Sequence, residues 1–392
     1  LEEAIKNVDV SGSVVYRYDN VDDKILNTGS SKTDNNKYKI GLNLSSKVND
    51  YVKFNSRFIV GANEGYDFVS TDAHKSTGGH AGGDAGADVL LSQAYFGFTA
   101  IPNTVVNIGK QGLTTPYTVA VDINGNEQAG TGILALSTFG PITAGAGYFN
   151  NTNVDVSGNG YIKTSDLGLD GGSDMYVATV QGDLDFVKLE AWYAGLQNTF
   201  GSYTLAATSN LDLAENAKLG LEARYVQLTL NDKVVQGTDI SDKNSMFRFA
   251  VDGKFSIVNA RLAYTMTDKD GGLTALDQDA KNTSLGWNIT SNGIADAKYF
   301  QAALGADILD NLNFTAHYGK LKADGTDKVT VNNLVKGYSD VDLKQEEIYG
   351  QLTYKMSKNL TTYLRYGQFE EKIDGDKNID QNMGRLQVAY TF

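Results

Sequence analysis

The sequence predicts an all-β fold, a transmembrane antiparallel β-barrel of about 18 strands (between about 16 and 18). Three observations carry that reading. Hydrophobicity alternates with period two along the whole chain, most alternating segments are long enough to cross a bilayer, and their connections alternate between short turns and long polar loops.

The alternation is clear from the first segment. Val10, Gly12, Val14, Tyr16 and Tyr18 alternate with Ser11, Ser13, Val15 and Arg17. Tyr38, Ile40, Leu42 and Leu44 then face away from Lys39, Gly41, Asn43 and Ser45, and Val52, Phe54, Phe58 and Val60 from Lys53, Asn55 and Arg57. Late in the chain Leu312, Phe314, Ala316 and Tyr318 oppose Asn313, Thr315, His317 and Gly319. The last segment sets Leu386, Val388, Tyr390 and Phe392 against Arg385, Gln387 and Ala389. Segments of this kind lie near 8–18, 36–47, 51–62, 88–100, 104–110, 131–139, 142–150, 173–183, 185–195, 199–208, 216–229, 244–255, 257–267, 297–309, 311–322, 342–356, 359–370 and 382–392. Most have the ~9–11 residues that a tilted membrane strand needs.

Short connections are expected at Val48-Asn49-Asp50, Ile101-Pro102-Asn103, Gly140-Pro141 and Ser357-Lys358. Long, Gly- and Asp-rich ones are expected near 19–35, 64–87, 111–130, 151–172, 231–243, 268–296, 323–341 and 371–381. Short periplasmic turns and long extracellular loops are the usual asymmetry of outer-membrane barrels. An even strand number also places both termini on the short-turn side. The whole chain, 1–392, reads as one barrel domain.

A soluble β-sandwich or propeller is the competing reading. Strand length argues against it, since soluble strands average about 5–6 residues. Charged residues on the polar face of many strands would be costly in a dry core. Aromatic residues near strand ends (Tyr51, Tyr299, Tyr354 and Tyr363) suggest interfacial girdles, and the final Phe392 continues the outward register of Tyr390.

Composition agrees. The chain holds 42 glycines, 22 tyrosines and 16 phenylalanines but only three prolines and no cysteine, which suits an oxidising envelope. A net charge of −13 excludes the basic face that nucleic acid requires. No apolar run approaches the ~18 residues of a membrane helix. The opening Leu1-Glu2-Glu3-Ala4 carries no signal peptide, so any leader is taken as already removed.

A barrel this wide leaves an aqueous lumen. The third long loop, 111–130, follows and precedes the shortest segments and is expected to fold inward as a constriction. It carries Asp122 and Glu127. Arg17, Lys39, Arg57, Arg365 and Arg385 all have inward parity on segments that become neighbours when the barrel closes. Acidic loop against basic wall would set a transverse field across the narrow point. The plainer reading is that these charges only solvate a wide lumen.

The Asp122–Glu127 stretch is dense in oxygen donors but lacks EF-hand spacing. Asp268, Asp270, Asp277 and Asp279 form a second acidic stretch in the 268–296 loop. Carboxylates from the two loops could meet around Ca²⁺, or simply be solvated. Catalysis is not expected. His74 and His80 sit beside Gly78 and Gly79 in a loop, His317 faces the lumen, and none has a nucleophile or carboxylate partner nearby.

The opening Leu1-Glu2-Glu3-Ala4-Ile5-Lys6-Asn7-Val8-Asp9-Val10-Ser11-Gly12, with Tyr16-Arg17-Tyr18-Asp19, resembles the mature N-terminus of the campylobacter-type major outer-membrane porins. Gly109-Lys110-Gln111, Gly130-Thr131-Gly132 and the terminal aromatic resemble that family too. The resemblance implies an 18-stranded barrel, a homotrimer, weak cation selectivity, surface antigenicity and a calcium ion at the constriction. Asp122, ahead of Gly130-Thr131-Gly132, matches one family ligand and Asp277 a second. A third family carboxylate stands here as Asn150, whose amide oxygen can ligate but brings no charge.

The expected function is passive diffusion of ions and small hydrophilic solutes through an outer-membrane channel, with mild cation preference and no enzyme activity. Outer-membrane lipid and lipopolysaccharide are the expected surroundings. A surface adhesin whose channel is incidental, or a substrate-specific channel, remain alternatives.

Overall fold

The computed structural model describes residues 7–25, 32–62, 66–71, 87–154, 156, 172–236, 241–326 and 341–392. His74, His80 and the opening residues through Lys6 lie outside them. Eighteen wall strands form a closed antiparallel barrel, each paired with its neighbours in sequence. They are β1 Val8–Asp23, β2 Lys32–Lys47, β3 Val52–Gly61, β4 Asp88–Phe98, β5 Thr104–Gly112, β6 Ala129–Phe139, β7 Ile142–Thr152, β8 Met175–Leu184 and β9 Val187–Leu196. The second half comprises β10 Phe200–Ala214, β11 Ala217–Leu230, β12 Lys243–Phe255, β13 Val258–Thr267, β14 Ala297–Leu309, β15 Leu312–Thr326, β16 Val341–Lys355, β17 Leu360–Ile373 and β18 Asp376–Thr391. β18 closes on β1, from Ser13 opposite Thr391 to Asp23 opposite Gln381. A two-residue strand, Val69–Ser70, adds to β2, and Asp232–Val235 forms one helical turn capped by the Asn231 side chain.

The distribution of side chains is inside-out relative to a soluble protein. Leu364 and Leu304 are 56% and 62% exposed on the outer face, whereas Arg17 on the inner face is 3% exposed. Period-two alternation puts one residue of every pair against lipid, where apolar surface has no water to avoid. No helix among the described residues is long and apolar enough to cross a membrane. The strands do the crossing.

Four sequence expectations need correcting. The stretch 371–381 is not a long loop: β17 and β18 meet in a tight hairpin at Asp374-Gly375, whose positive φ values (52° and 88°) suit that pair. β1 and β2 extend well beyond the membrane-length segments, shortening the first loop. The strand expected at 199–208 is present but longer, running 15 residues as β10. Tyr299 and Tyr363 do not join a lipid-facing girdle. Tyr299 is fully buried on the lumen side, and Tyr363 bonds Gln387, which also holds Arg17. Tyr51 and Tyr354 are exposed, as a girdle requires.

The apolar core lies within the barrel. Leu113 and Tyr117 from the loop after β5, with Leu273 and Leu276 from the loop after β13, pack on inward residues of β7–β12 such as Phe149, Met175, Val226 and Met246. Ile289 and Ile294 pack on Leu321, Leu343, Phe369 and Met383 of β15–β18. Burying these side chains, at roughly 1.5–3 kcal/mol each, draws two loops into the lumen.

Candidate pore constriction

The loop after β5, residues 113–128, folds inward as its short flanking strand suggested: β5 has only nine residues. A second segment, 268–296 between β13 and β14, also turns inward and is largely buried. The sequence offered one overlooked cue: from Asn282 to Ala295 there is no charged residue, while Leu285, Trp287, Ile289 and Ile294 recur. Such a stretch is poorly suited to an extracellular loop in water.

The two loops are bonded to each other. The Leu276 and Asn282 N–H groups donate to the carbonyls of Tyr117 (2.8 Å) and Pro116 (2.9 Å). The Gln128 side-chain amide donates to the Leu276 carbonyl at 3.2 Å. The Ile123 N–H donates to Asp279 Oδ2 at 3.0 Å. Together they form one inner body fastened to several sides of the wall.

The basic wall residues act mainly as fasteners. Glu127, 1% exposed, receives Arg57 Nε at 2.6 Å and Lys39 Nζ at 2.9 Å. Lys39 also donates to the Gly125 carbonyl. Gly125 takes φ 81°, and a Cβ there would press on Phe68, so the turn calls for glycine. Arg17 bonds Asn124 Oδ1 (3.0 Å), the Ile123 carbonyl and Gln387 (2.8 Å), and stacks over Phe68. The acidic loop and this part of the wall are therefore in contact. The expected field of Glu127 against Arg57 and Lys39 across open water is replaced by a buried ion pair.

Arg365 and Arg385 are arranged differently. Arg385 pairs with Asp19 at 2.5 Å. Arg365 donates twice to Gln351 and has no carboxylate within ion-pair distance among the described residues. Its guanidinium lies about 5 Å from the rings of Trp287, Tyr349 and Tyr363. Trp287 meets Tyr349 edge to face at 5.3 Å, and His317 stacks on the same tyrosine at 4.5 Å. A cavity of about 510 Å³ opens beside this cluster, lined by Asp19, Lys37, Ser70, Trp287, Asn288 and Arg385 among others.

Trp287 is held there by a buried carboxylate. Glu347, 2% exposed on β16, accepts the N–H groups of Trp287 and Asn288, each at 2.8 Å. The opposite end of the segment is held by Arg248, which donates to the carbonyls of Thr283 and Lys281, and by Arg224, which reaches Asn282. Glu222 and Glu190 balance these arginines. None of these five wall residues is singled out by the sequence, because the loop they hold lies distant along the chain.

The candidate metal ligands are only partly assembled. Asp122 accepts the Asn124 and Asn126 N–H groups and the Asn126 side-chain amide, closing its own turn. Asp277 is fully buried and caps the turn at Asp279. The residue that approaches Asp122 is Asp279: burial, and then the Asp122 charge, raise its carboxyl above the usual aspartate value. Asp67 is likewise raised, first by burial, and one of its oxygens is buried without a hydrogen-bond partner among the described residues. Asn150 is exposed at a β-bulge between β6 and β7, with no hydrogen bond to Asp122 or Asp277. No cluster of three His, Cys, Asp or Glu among the described residues could hold a metal. Asp279, which accepts the Ile123 N–H, brings a second negative charge near Asp122, but the two carboxylates supply fewer than the 6–8 oxygens calcium prefers.

Comparisons with known proteins bear on the fold and the family. The family model described as Campylobacter major outer membrane protein matches residues 1–392. Acinetobacter baumannii OccAB3 is similar in structure, with a TM-score of 0.75, 14% identity and 99% of each chain covered. Pseudomonas aeruginosa OccK8 (OprE) gives 0.73 at 16% identity, covering 99% of this chain and 98% of its own. The Pseudomonas aeruginosa outer membrane protein OprD gives 0.70 at 18% identity, covering 98% and 93%. No curated protein matches the sequence.

Proposed function

Because this outer-membrane chain belongs to the Campylobacter major outer membrane protein family, we propose that it is a general diffusion porin for ions and small hydrophilic solutes. The observation that carries the reading is the two-loop body, which occupies part of the lumen and is edged by Arg365, Arg385, Asp19 and Trp287. Solutes pass by shedding part of their hydration among these groups, so size and charge decide passage. Chemical conversion is not part of this role.

The preference is weakly for cations. Asp122, Asp279 and Asp67 supply negative potential where the loops meet, and the chain carries −13 overall. Glu127 offsets one of the two charges of Lys39 and Arg57, and Asp19 pairs with Arg385. Arg365 opposes the trend. A calcium ion, if held, would sit with Asp122 and Asp279, with Asp277 fixing the turn that presents Asp279; it would supply positive charge at the loop contact.

A homotrimer is the assembly the family resemblance implies. A shallow apolar depression of about 650 Å³ on the outer wall, floored by Ala144, Ala146, Ala178 and Ala191, is suited to close approach of another subunit. Chemical cross-linking in native membranes tests this.

A second reading, a channel that retains particular solutes, is favoured by Arg365 among three aromatic rings. Liposome swelling with sugars of graded size separates the two. Diffusion predicts rates that fall smoothly with size and rise in Trp287→Ala; a retaining channel predicts saturation by one solute class.

A further inference from the structure

Five lysines stand side by side on the outer wall. Register places Lys298 of β14 opposite Lys322 of β15, Lys322 opposite Lys344 of β16, Lys344 opposite Lys372 of β17, and Lys372 opposite Lys377 of β18. Their chain neighbours Tyr299, Leu321, Leu343 and Glu371 are buried on the lumen side, so the lysines face outward. Like charges directly opposed across strands are unfavourable, and here four such pairs follow one another.

Nearby carboxylates relieve only part of this. Lys298 lies 3.9 Å from Asp296 and 3.8 Å from Asp324. Glu370 takes Lys372 at 3.1 Å and Lys377 at 2.7 Å, and Asp380 takes Lys377 and Lys24. Glu346 is paired with Lys320 at 3.5 Å. Lys322 and Lys344, at the centre of the row, have neither an ion pair nor a side-chain hydrogen bond among the described residues.

What lies below the row gives the ligand its shape. One layer down, roughly 7 Å along the strands, Lys320, Glu346, Glu370 and Asp380 stand in register. A groove of about 320 Å³ runs among Lys24, Glu346, Gln368, Glu370, Lys377 and Asp380. Below it the same face turns apolar, with Ile348, Leu352, Leu364 and Tyr366 all exposed. Anion acceptors, then hydroxyl acceptors, then hydrocarbon surface follow in order from the rim towards the bilayer centre.

We propose that this face of β14–β18 binds a phosphorylated glycolipid of the outer leaflet. Its phosphate lies on Lys322 and Lys344, its sugar hydroxyls donate to Glu346, Glu370 and Asp380, and its acyl chains cover the apolar strip. The inference rests on the outer-membrane placement and is independent of conduction.

The test uses purified full-length protein in phosphatidylcholine nanodiscs. Bound lipid is measured by native mass spectrometry during titration with a bis-phosphorylated disaccharide glycolipid, its dephosphorylated form, or inorganic phosphate. Wild type should prefer the phosphorylated lipid. Lys322→Gln/Lys344→Gln should lose about thirtyfold in affinity, from roughly fivefold per lysine at an anionic surface. Lys218→Gln/Lys254→Gln, at the opposite rim, should bind as wild type does, and inorganic phosphate should not compete. Equal binding of both glycolipids by wild type, which needs no variant, would overturn the proposal. So would an unchanged affinity in the Lys322/Lys344 variant.

Discussion

The carboxylate of Glu347, on β16, accepts the backbone N–H of Trp287 at 2.8 Å and thereby fixes the position of an indole in the lumen. The same carboxylate takes Asn288, and Gly286 lies so close that any Cβ would overlap it. Removing Glu347 leaves the N–H groups of half-buried Trp287 and exposed Asn288 without their acceptor, costing about 1–3 kcal/mol of local stability. Glu347→Ala should therefore free the Trp287 segment, giving larger and noisier single-channel currents, with heat-modifiable migration reporting an intact barrel.

Glu127 anchors the other loop. Glu127→Gln leaves Arg57 and Lys39 buried without their counter-charge, a change that typically costs about 3–5 kcal/mol. The expected result is a lower unfolding temperature and proteolysis within 113–128. Wild-type behaviour on both measures would mean that the ion pair does not hold the loop.

Arg365 should set the balance between cations and anions, since no carboxylate within ion-pair distance offsets it among the described residues. Arg365→Gln is expected to move the reversal potential in a salt gradient towards stronger cation preference. Arg57→Gln should move it less, because Glu127 already balances that charge. The two reversal potentials, measured side by side, check the difference.

Asp279 gives the loop contact a pH dependence. Its folded-state carboxyl is raised, by burial first and Asp122 second. Its neutral form therefore favours the folded contact below the ordinary aspartate value, and that contribution is lost as pH rises through the raised one. Acidification into this range should weaken cation preference, and in Asp279→Asn the step should be absent from the reversal-potential profile.

Much of the wall was legible because a strand's side-chain period is two and one face meets lipid. Arg17, Lys39 and Arg57 could be placed inward from parity alone. Their partners could not, since Ile123, Asn124 and Glu127 are distant in sequence and meet them only when the loop folds back. The hairpin at Asp374-Gly375 was hidden by the polar residues around it, because both strands run beyond the bilayer and need no apolar face there. The second inward loop was obscured for a different reason. Its acidic start, Asp268 to Asp279, reads as a solvated loop, and its uncharged later half has no strand or helix period. Asp277 drew attention as a carboxylate, whereas the backbone turns Asp279 towards Asp122.

The central claim, an open lumen narrowed by two loops, is tested most directly by single-channel recording of purified protein in planar bilayers under a salt gradient. Stepwise, ohmic conductance with a small cation-leaning reversal potential, rising in Glu347→Ala, is the predicted result. Inserted, correctly folded protein that passes no current in either form would contradict it and mean that the inner body seals the barrel.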